Sequence, residues 1–214
     1  LQLGARLPTD AEQSAVASQG LKAMPAILGS LMKEDAFYTR LREAFNDIFL
    51  TIGLDDSAEA VLSYDHFSKT RGWYQNTNLN QEFLGHFTDE KQRRDAGYKL
   101  AREYRAAIQG EPMRLIEHIV RNDKPFTEIV TADYIMVTPY SSRGYGIYED
   151  IKDRFADTKD PFEYIPVKLK ALVGRNKDQN QESATGFYPH ACLLANFQYM
   201  RRYPTTETNR NRQR

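Results

Sequence analysis

A mainly α fold, an irregular helical bundle with long ordered loops, is what this sequence predicts, and three observations carry it. Apolar residues recur at spacings of three and four through most of the chain, the period of a helix with one buried face. Helix-start signals, capping residues and prolines, stand ahead of these runs. Strand-like alternation is nearly absent, and no internal repeat or heptad run emerges.

The elements follow in order. Thr9, with Glu12 three residues on, forms a capping box after Pro8 and opens a short helix through Ala11 to Ser18. Pro25 suits a helix start, and Ile27, Leu28 and Leu31 give the next turns an apolar face. The clearest helix places Phe37, Leu41, Phe45, Ile48, Phe49 and Ile52 on one side, with Gly53 as its C-terminal stop. From Thr70 to Glu82 (TRGWYQNTNLNQE) periodicity lapses, and the segment reads as an ordered loop pinned by Trp73 and Tyr74, with a sub-boundary placed near 70–88. Leu100, Tyr104, Ala107 and Ile108 then mark a helix that Gly110 ends. Pro112 starts another with Leu115, Ile116, Ile119 and Val120 as its stripe, so two antiparallel helices joined by a short turn are expected. Thr127 caps a short helix after Pro125, and Asp133 to Val137 is either its extension or a brief extended piece. Ser141 to Gly146 reads as a loop. Ile147, Ile151 and Phe155 resume the helical period until Asp160-Pro161 breaks it. Residues 174–186 (GRNKDQNQESATG) hold one apolar side chain, Ala184, and are expected as an exposed loop. Ala191, Leu194, Ala195 and Gln198 to Met200 suggest a last helix.

Composition excludes several classes. The chain of 214 residues balances 29 basic against 29 acidic side chains, with a pI near 7.1, which is not the footprint of a dedicated nucleic-acid binder. The basic tail from Tyr199 to Arg214, five arginines against one glutamate, reads as the solvated face of a helix. Its longest apolar stretches, Ala23 to Met32 and Ala191 to Phe197, fall short of the ~20 residues that span a bilayer. One domain over 1–214 is expected. The absence of an initiating methionine and the polar end at Arg214 point to a piece of a longer polypeptide, unless the ends were set by deliberate truncation.

Chemistry is sparse. Cys192 is the single cysteine, so neither a disulfide nor a C-x-x-C-H haem attachment can form within the chain. Flanked by Ala191, Leu193 and Leu194, it reads as a small buried hydrophobe. His66, His86, His118 and His190 are scattered, and no metal site is expected from them. His118 reads as a helix-surface or boundary residue. His190 follows Phe187-Tyr188-Pro189 at a turn, where its imidazole either caps a helix or ligates a cofactor held by another segment. The acid pairs Asp55-Asp56 and Glu149-Asp150 are weak signals, because adjacency in sequence says nothing about separation across a cleft.

Three stretches carry a resemblance: Leu115 to Val137 (LIEHIVRNDKPFTEIVTADYIMV), Thr185 to Leu194 (TGFYPHACLL) and Arg202 to Arg212 (RYPTTETNRNR). With the opening GARLPTDAE and the helix from Leu31 to Ile52, they resemble the bacterial planctomycete-type cytochrome-associated domains of unknown function. The family's His-Ala-Gly-Leu-Leu turn has glycine where this chain has Cys192. The resemblance implies an exported protein, periplasmic or on the cell surface, whose domain shares a polypeptide with c-type haem segments or meets a cytochrome subunit. It implies no reaction, because these families lack an assigned activity, and with no haem motif in this portion any redox role belongs to another segment or partner. Two readings therefore stand: a structural and interaction module that scaffolds or covers a redox segment carried elsewhere, or a hydrolytic or oxidative enzyme domain with a cleft lined by His190, Tyr188 and Arg143.

Overall fold

The computed structural model describes residues 4–53, 62, 67, 69–169 and 192–203. Over these residues the chain is mainly α, as its periodicity predicts. The exposed loop expected at 174–186, and His190 before the last helix, lie outside the described residues.

Helix α1 (Asp10–Gln19) starts at Thr9 through the anticipated capping box: the Glu12 amide donates to Thr9 Oγ1 at 3.3 Å and the Thr9 amide to Glu12 Oε2 at 2.7 Å. A 3-10 turn leads into α2 (Met24–Leu31), with Pro25 in its first turn. Helix α3 (Asp35–Phe49) stops earlier than Gly53 would have it. Leu50 takes the left-handed cap at φ 50°, and Asn46 makes this possible by accepting the Ile52 amide on Oδ1 at 2.9 Å. Leu41, Phe45 and Phe49 pack inward, whereas Ile48 and Ile52 stay exposed.

The short α4 (Gln81–Leu84) precedes the axis of the fold, α5 (Glu90–Arg121). Here the expected pair of antiparallel helices gives way to one helix of 32 residues, about 48 Å long at 1.5 Å per residue. Gly110 is needed for close approach: a Cβ there would overlap the Tyr164 hydroxyl, which donates to the Ala107 carbonyl at 2.7 Å. Pro112 removes one helical hydrogen bond and costs roughly 3 kcal/mol. Ile108, Met113, Leu115, Ile116 and Ile119, each at most 1 % exposed, offset this at roughly 1.5–3 kcal/mol apiece.

After α6 (Glu128–Thr131), Ile135–Val137 forms β1, resolving the alternative in favour of extended chain. It pairs antiparallel with β2 (Ile165–Val167), Met136 opposite Pro166. Between them, Ser141 to Gly146 is not a loop: α7 (Pro139–Gly144) is helical and buried at every residue. Thr138 caps it, accepting the Tyr140 and Ser141 amides at 3.2 and 3.1 Å, while the Ser141 hydroxyl accepts the Thr138 amide at 2.9 Å. Gly144 lets α7 sit directly on Tyr104, whose hydroxyl a Cβ would overlap. Helix α8 (Tyr148–Ile151) tightens into a 3-10 turn at Lys152–Arg154, so Phe155 lies beyond the helix that was expected to carry it. A 3-10 turn at Cys192–Ala195 precedes α9 (Phe197–Arg202), capped by Asn196.

Two apolar clusters meet along α5. Its first half packs Leu100, Tyr104 and Ile108 against Trp73, Tyr140 and Phe197, and its second half packs Met113, Ile116 and Ile119 against Ile129, Met136 and Leu193. An ion-pair network fastens α3 to the second half. Glu117 receives Arg42 at 2.5 Å, Arg114 at 2.8 Å and Arg121 at 2.9 Å. Burial pushes the Glu117 carboxyl up, but the three guanidinium groups outweigh it and hold the pKa below the usual carboxylate range.

Candidate functional site

Of the residues assigned to a cleft from sequence, the structure places Arg143; His190 and Tyr188 lie outside the described residues. Arg143 stands in the last turn of α7 and is 8 % exposed. Its Nη1 donates to the Pro139 carbonyl one turn back at 2.7 Å, and its Nη2 pairs with Glu82 of α4. Tyr148 stacks on the guanidinium, 3.4 Å from its carbon to the ring centroid, with Phe83 and Trp73 at 5.1 and 5.4 Å. This aromatic enclosure makes a buried cation tolerable, together with one carboxylate.

Above Arg143 opens a cleft of about 520 Å³. Trp73, buried at 1 % exposure, lies beneath its wall, and the indole Nε1–H, closed off from solvent, has no hydrogen-bond partner among the described residues. Asn78, Leu79, Gln81 and Glu149 stand around the opening, and all four are exposed. The positions are set by short-range features. The Trp73 turn is held by Asn80, whose Nδ2 donates to the Tyr74 carbonyl at 2.7 Å. Thr70 donates its hydroxyl to the Gly144 carbonyl at 2.7 Å, tying the aromatic loop to the end of α7.

A second polar centre, unforeseen from sequence, lies inside the fold. Glu111, fully buried on α5, accepts the Tyr145 hydroxyl on Oε2 at 2.6 Å and the Asn196 side-chain amide at 3.3 Å, while Oε1 has no hydrogen-bond partner among the described residues. Burial pushes its carboxyl up to about 8, against the pull of Tyr145, Ser141 and Asn196 toward the ionised form. The acid is therefore mostly protonated at neutral pH. Its only sequence signal was its place between Gly110 and Pro112, which read as a turn.

Two further candidates, His118 and Cys192, are structural, while His66 and the Asp55-Asp56 pair lie outside the described residues. His118 is half-buried on α5 and meets the Tyr134 ring edge to face, matching a boundary role; burial and Lys124 hold its pKa below the ordinary histidine value. Cys192 is fully buried, its Sγ 3.6 Å from the Tyr134 carbonyl, with burial raising the thiol to about 12. That environment suits a packed hydrophobe rather than a nucleophile. Among the described residues no three His, Cys, Asp or Glu side chains converge as a metal site, and no helix is long and apolar enough to cross a membrane.

A third feature is a surface. Between α1 and α2 runs a groove of about 730 Å³ walled by Val16, Ala17, Met24, Ile27, Leu28 and Leu31. At its edge Arg6 forms paired hydrogen bonds with two carboxylates, Glu12 at 2.8 and 2.9 Å and Glu34 at 2.7 and 2.9 Å. Neither α1 nor α2 buries a single residue, and Leu7, Leu21 and Met32 remain 70, 85 and 40 % exposed. In comparisons with known proteins, the chain matches no family model, no curated protein and no solved structure.

Proposed function

We propose that this chain is a structural and interaction module of an exported bacterial cytochrome-like multidomain protein, periplasmic or on the cell surface. In this reading it scaffolds or covers a redox segment carried elsewhere. The observation that carries it is the open apolar groove between α1 and α2. Two helices that bury none of their own side chains leave an apolar groove open, and such a contiguous patch marks an interaction surface. The rim sets one positive side chain, Arg6, against two negative ones, Glu12 and Glu34. A net charge of −1 there suits a partner segment whose apolar face is flanked by lysine or arginine.

The cytochrome context rests on the resemblance, and one backbone feature supports it. Cys192 adopts φ 44°, the left-handed region that favours glycine, and glycine is what the family's turn has at this position. With one cysteine in the chain, a covalently held haem belongs to another segment or to a cytochrome subunit.

The test is site-directed photo-crosslinking from Val16 and Leu28 in the protein expressed in its native host, with haem-stained gels and mass spectrometry of the adducts. The expected result is a crosslink from both positions to one haem-bearing segment, lost in the Leu28→Asp variant. Recovery of the protein from the cytoplasmic fraction, or haem-free material without a crosslink, overturns the reading.

A further inference from the structure

The first half of α5 carries a cleft that the interaction module does not use. Helical period places Glu90, Arg94, Tyr98 and Arg105 along one face, one or two turns apart, with Arg93 and Gly97 beside them. The turn that begins at Trp73 packs against α5 here. Its Tyr74, with Asn80, helps to close a space of about 590 Å³, within the ~300–1,000 Å³ of small-molecule pockets. No residue of this lining belongs to the α1–α2 groove.

The charge of the lining is one-sided. Arg93, Arg94 and Arg105 meet one carboxylate, Glu90, an excess of two positive charges in a chain whose net charge is zero. None of the three arginines makes an ion pair among the described residues, whereas Arg42, Arg114, Arg121 and Arg143 are each held by a carboxylate. A concave lining of one sign concentrates ligands of the other, so the cleft selects anions. Guanidinium forks match carboxylate and phosphate oxygens alike, and the neighbouring pair Arg93 and Arg94 separates the two. A carboxylate brings one negative charge to that pair, whereas a phosphate monoester brings about −1.5 to −2 at neutral pH.

The rest of the lining describes the rest of the ligand. Tyr98, one turn from Arg94, stays 60 % exposed, which leaves most of its ring free to stack. Gly97 beside it has no conformational reason to be glycine. Its φ is not positive, and a Cβ would meet Leu84 Cδ1 at 3.7 Å, ordinary contact. Alanine is the better helix former there, and glycine instead keeps the floor of the cleft clear next to Tyr98. Arg105 stands eleven residues beyond Arg94, about 16 Å at 1.5 Å per residue, and helical side chains lean back toward the N-terminus, so its donors lie past the Tyr98 ring. We propose that this cleft binds a nucleotide, its phosphate on Arg93 and Arg94, its base stacked on Tyr98, and acceptors at the far edge of the base facing Arg105.

The experiment is calorimetric titration of the purified chain at about pH 7.5, where the phosphate is largely dianionic, with AMP, GMP, CMP and UMP, their nucleosides and inorganic phosphate. At least one nucleotide is expected to bind saturably, with its nucleoside and inorganic phosphate each roughly tenfold weaker or more, the loss of about one charged hydrogen bond or one stacked ring. Arg94→Ala and Tyr98→Ala, at exposed helical positions that alanine suits, should raise Kd by roughly tenfold and at least about fivefold. Arg40→Ala, on α3, should leave it unchanged. Absence of saturable binding by all four nucleotides overturns the proposal. So does a nucleoside or inorganic phosphate that binds as tightly as the nucleotide, because charge or ring is then dispensable. Binding that Arg94→Ala and Tyr98→Ala leave unchanged, or that Arg40→Ala weakens as much as they do, overturns it as well, because the ligand then sits elsewhere or answers to diffuse charge.

Discussion

Glu111 makes the core of this fold sensitive to pH. In the unfolded chain a glutamate titrates near 4.3, whereas in the folded protein burial pushes the Glu111 carboxyl up to about 8. Between those values the unfolded state releases a proton that the folded state keeps. This contribution is therefore fully present below about pH 4 and is lost as pH rises toward 8, on the order of a few kcal/mol in all. Glu111→Gln keeps the shape and an acceptor for the Tyr145 hydroxyl while abolishing the titration. Urea unfolding at pH 5 and pH 8 should show the wild type losing stability across this interval and the variant losing much less, with Glu111→Gln the more stable of the two at pH 8. Equal slopes for both proteins would mean that Glu111 ionises normally in the folded state.

At the scale of the element, the informative place is the middle of α5. Replacing a helical glycine by alanine ordinarily stabilises by about 1 kcal/mol. At Gly110 the sign should reverse, because the new methyl group meets the Tyr164 hydroxyl. Gly110→Ala is expected to lower stability by about 1–3 kcal/mol, the usual cost of overpacking. In a Tyr164→Phe background the same change should cost much less, and the two substitutions should couple in a double-mutant cycle read by thermal unfolding. The same glycine shows where sequence reading stops. The start of α1 was legible because capping is decided by side chains three residues apart, Thr9 and Glu12. Helix α3 was legible because its inward residues keep one period. Gly110-Glu111-Pro112 reads as a break in any local window. It continues as helix only because Tyr164, more than fifty residues away, packs on the glycine and the buried side chains around it outweigh the proline. The cleft was half visible for the same reason. Trp73 and Tyr74 announced a pinned loop, but nothing local connects Glu82 to Arg143 across 61 residues, and burying α7 takes the whole aromatic cluster.

Across the whole molecule, cohesion is uneven, and the unevenness follows the two apolar clusters. Every residue of α7 is buried and α5 buries twelve of its side chains, whereas α1 and α2 bury none. The segment from Arg6 to Leu31 is held instead by its Arg6 pairs to Glu12 and Glu34 and by contacts among α1, α2 and the turn between them. Half-buried ion pairs at the surface stabilise modestly compared with a packed core, so this segment is expected to open locally without disturbing the clusters along α5. Hydrogen exchange tests this through Ile116→Ala, which removes a fully buried side chain from the second cluster and should cost about 2–5 kcal/mol of global stability. Amides of α5 should then exchange faster by the full global loss, while those of α1 and α2, already exchanging by local opening, should keep their rates. Acid separates the two regions further. The Arg6 hydrogen bonds depress Glu12 to about 2 and hold Glu34 below the usual range, so the contribution of these pairs is present above the unfolded value near 4.3 and is lost as pH falls toward 2. Exchange in α1 should quicken, relative to intrinsic rates, as the pH is lowered through that interval, while the Glu111 contribution to the core stays at its maximum. Uniform acceleration of α1 and α5 in Ile116→Ala would instead make the molecule one cooperative unit, with the α1–α2 surface held as firmly as its core.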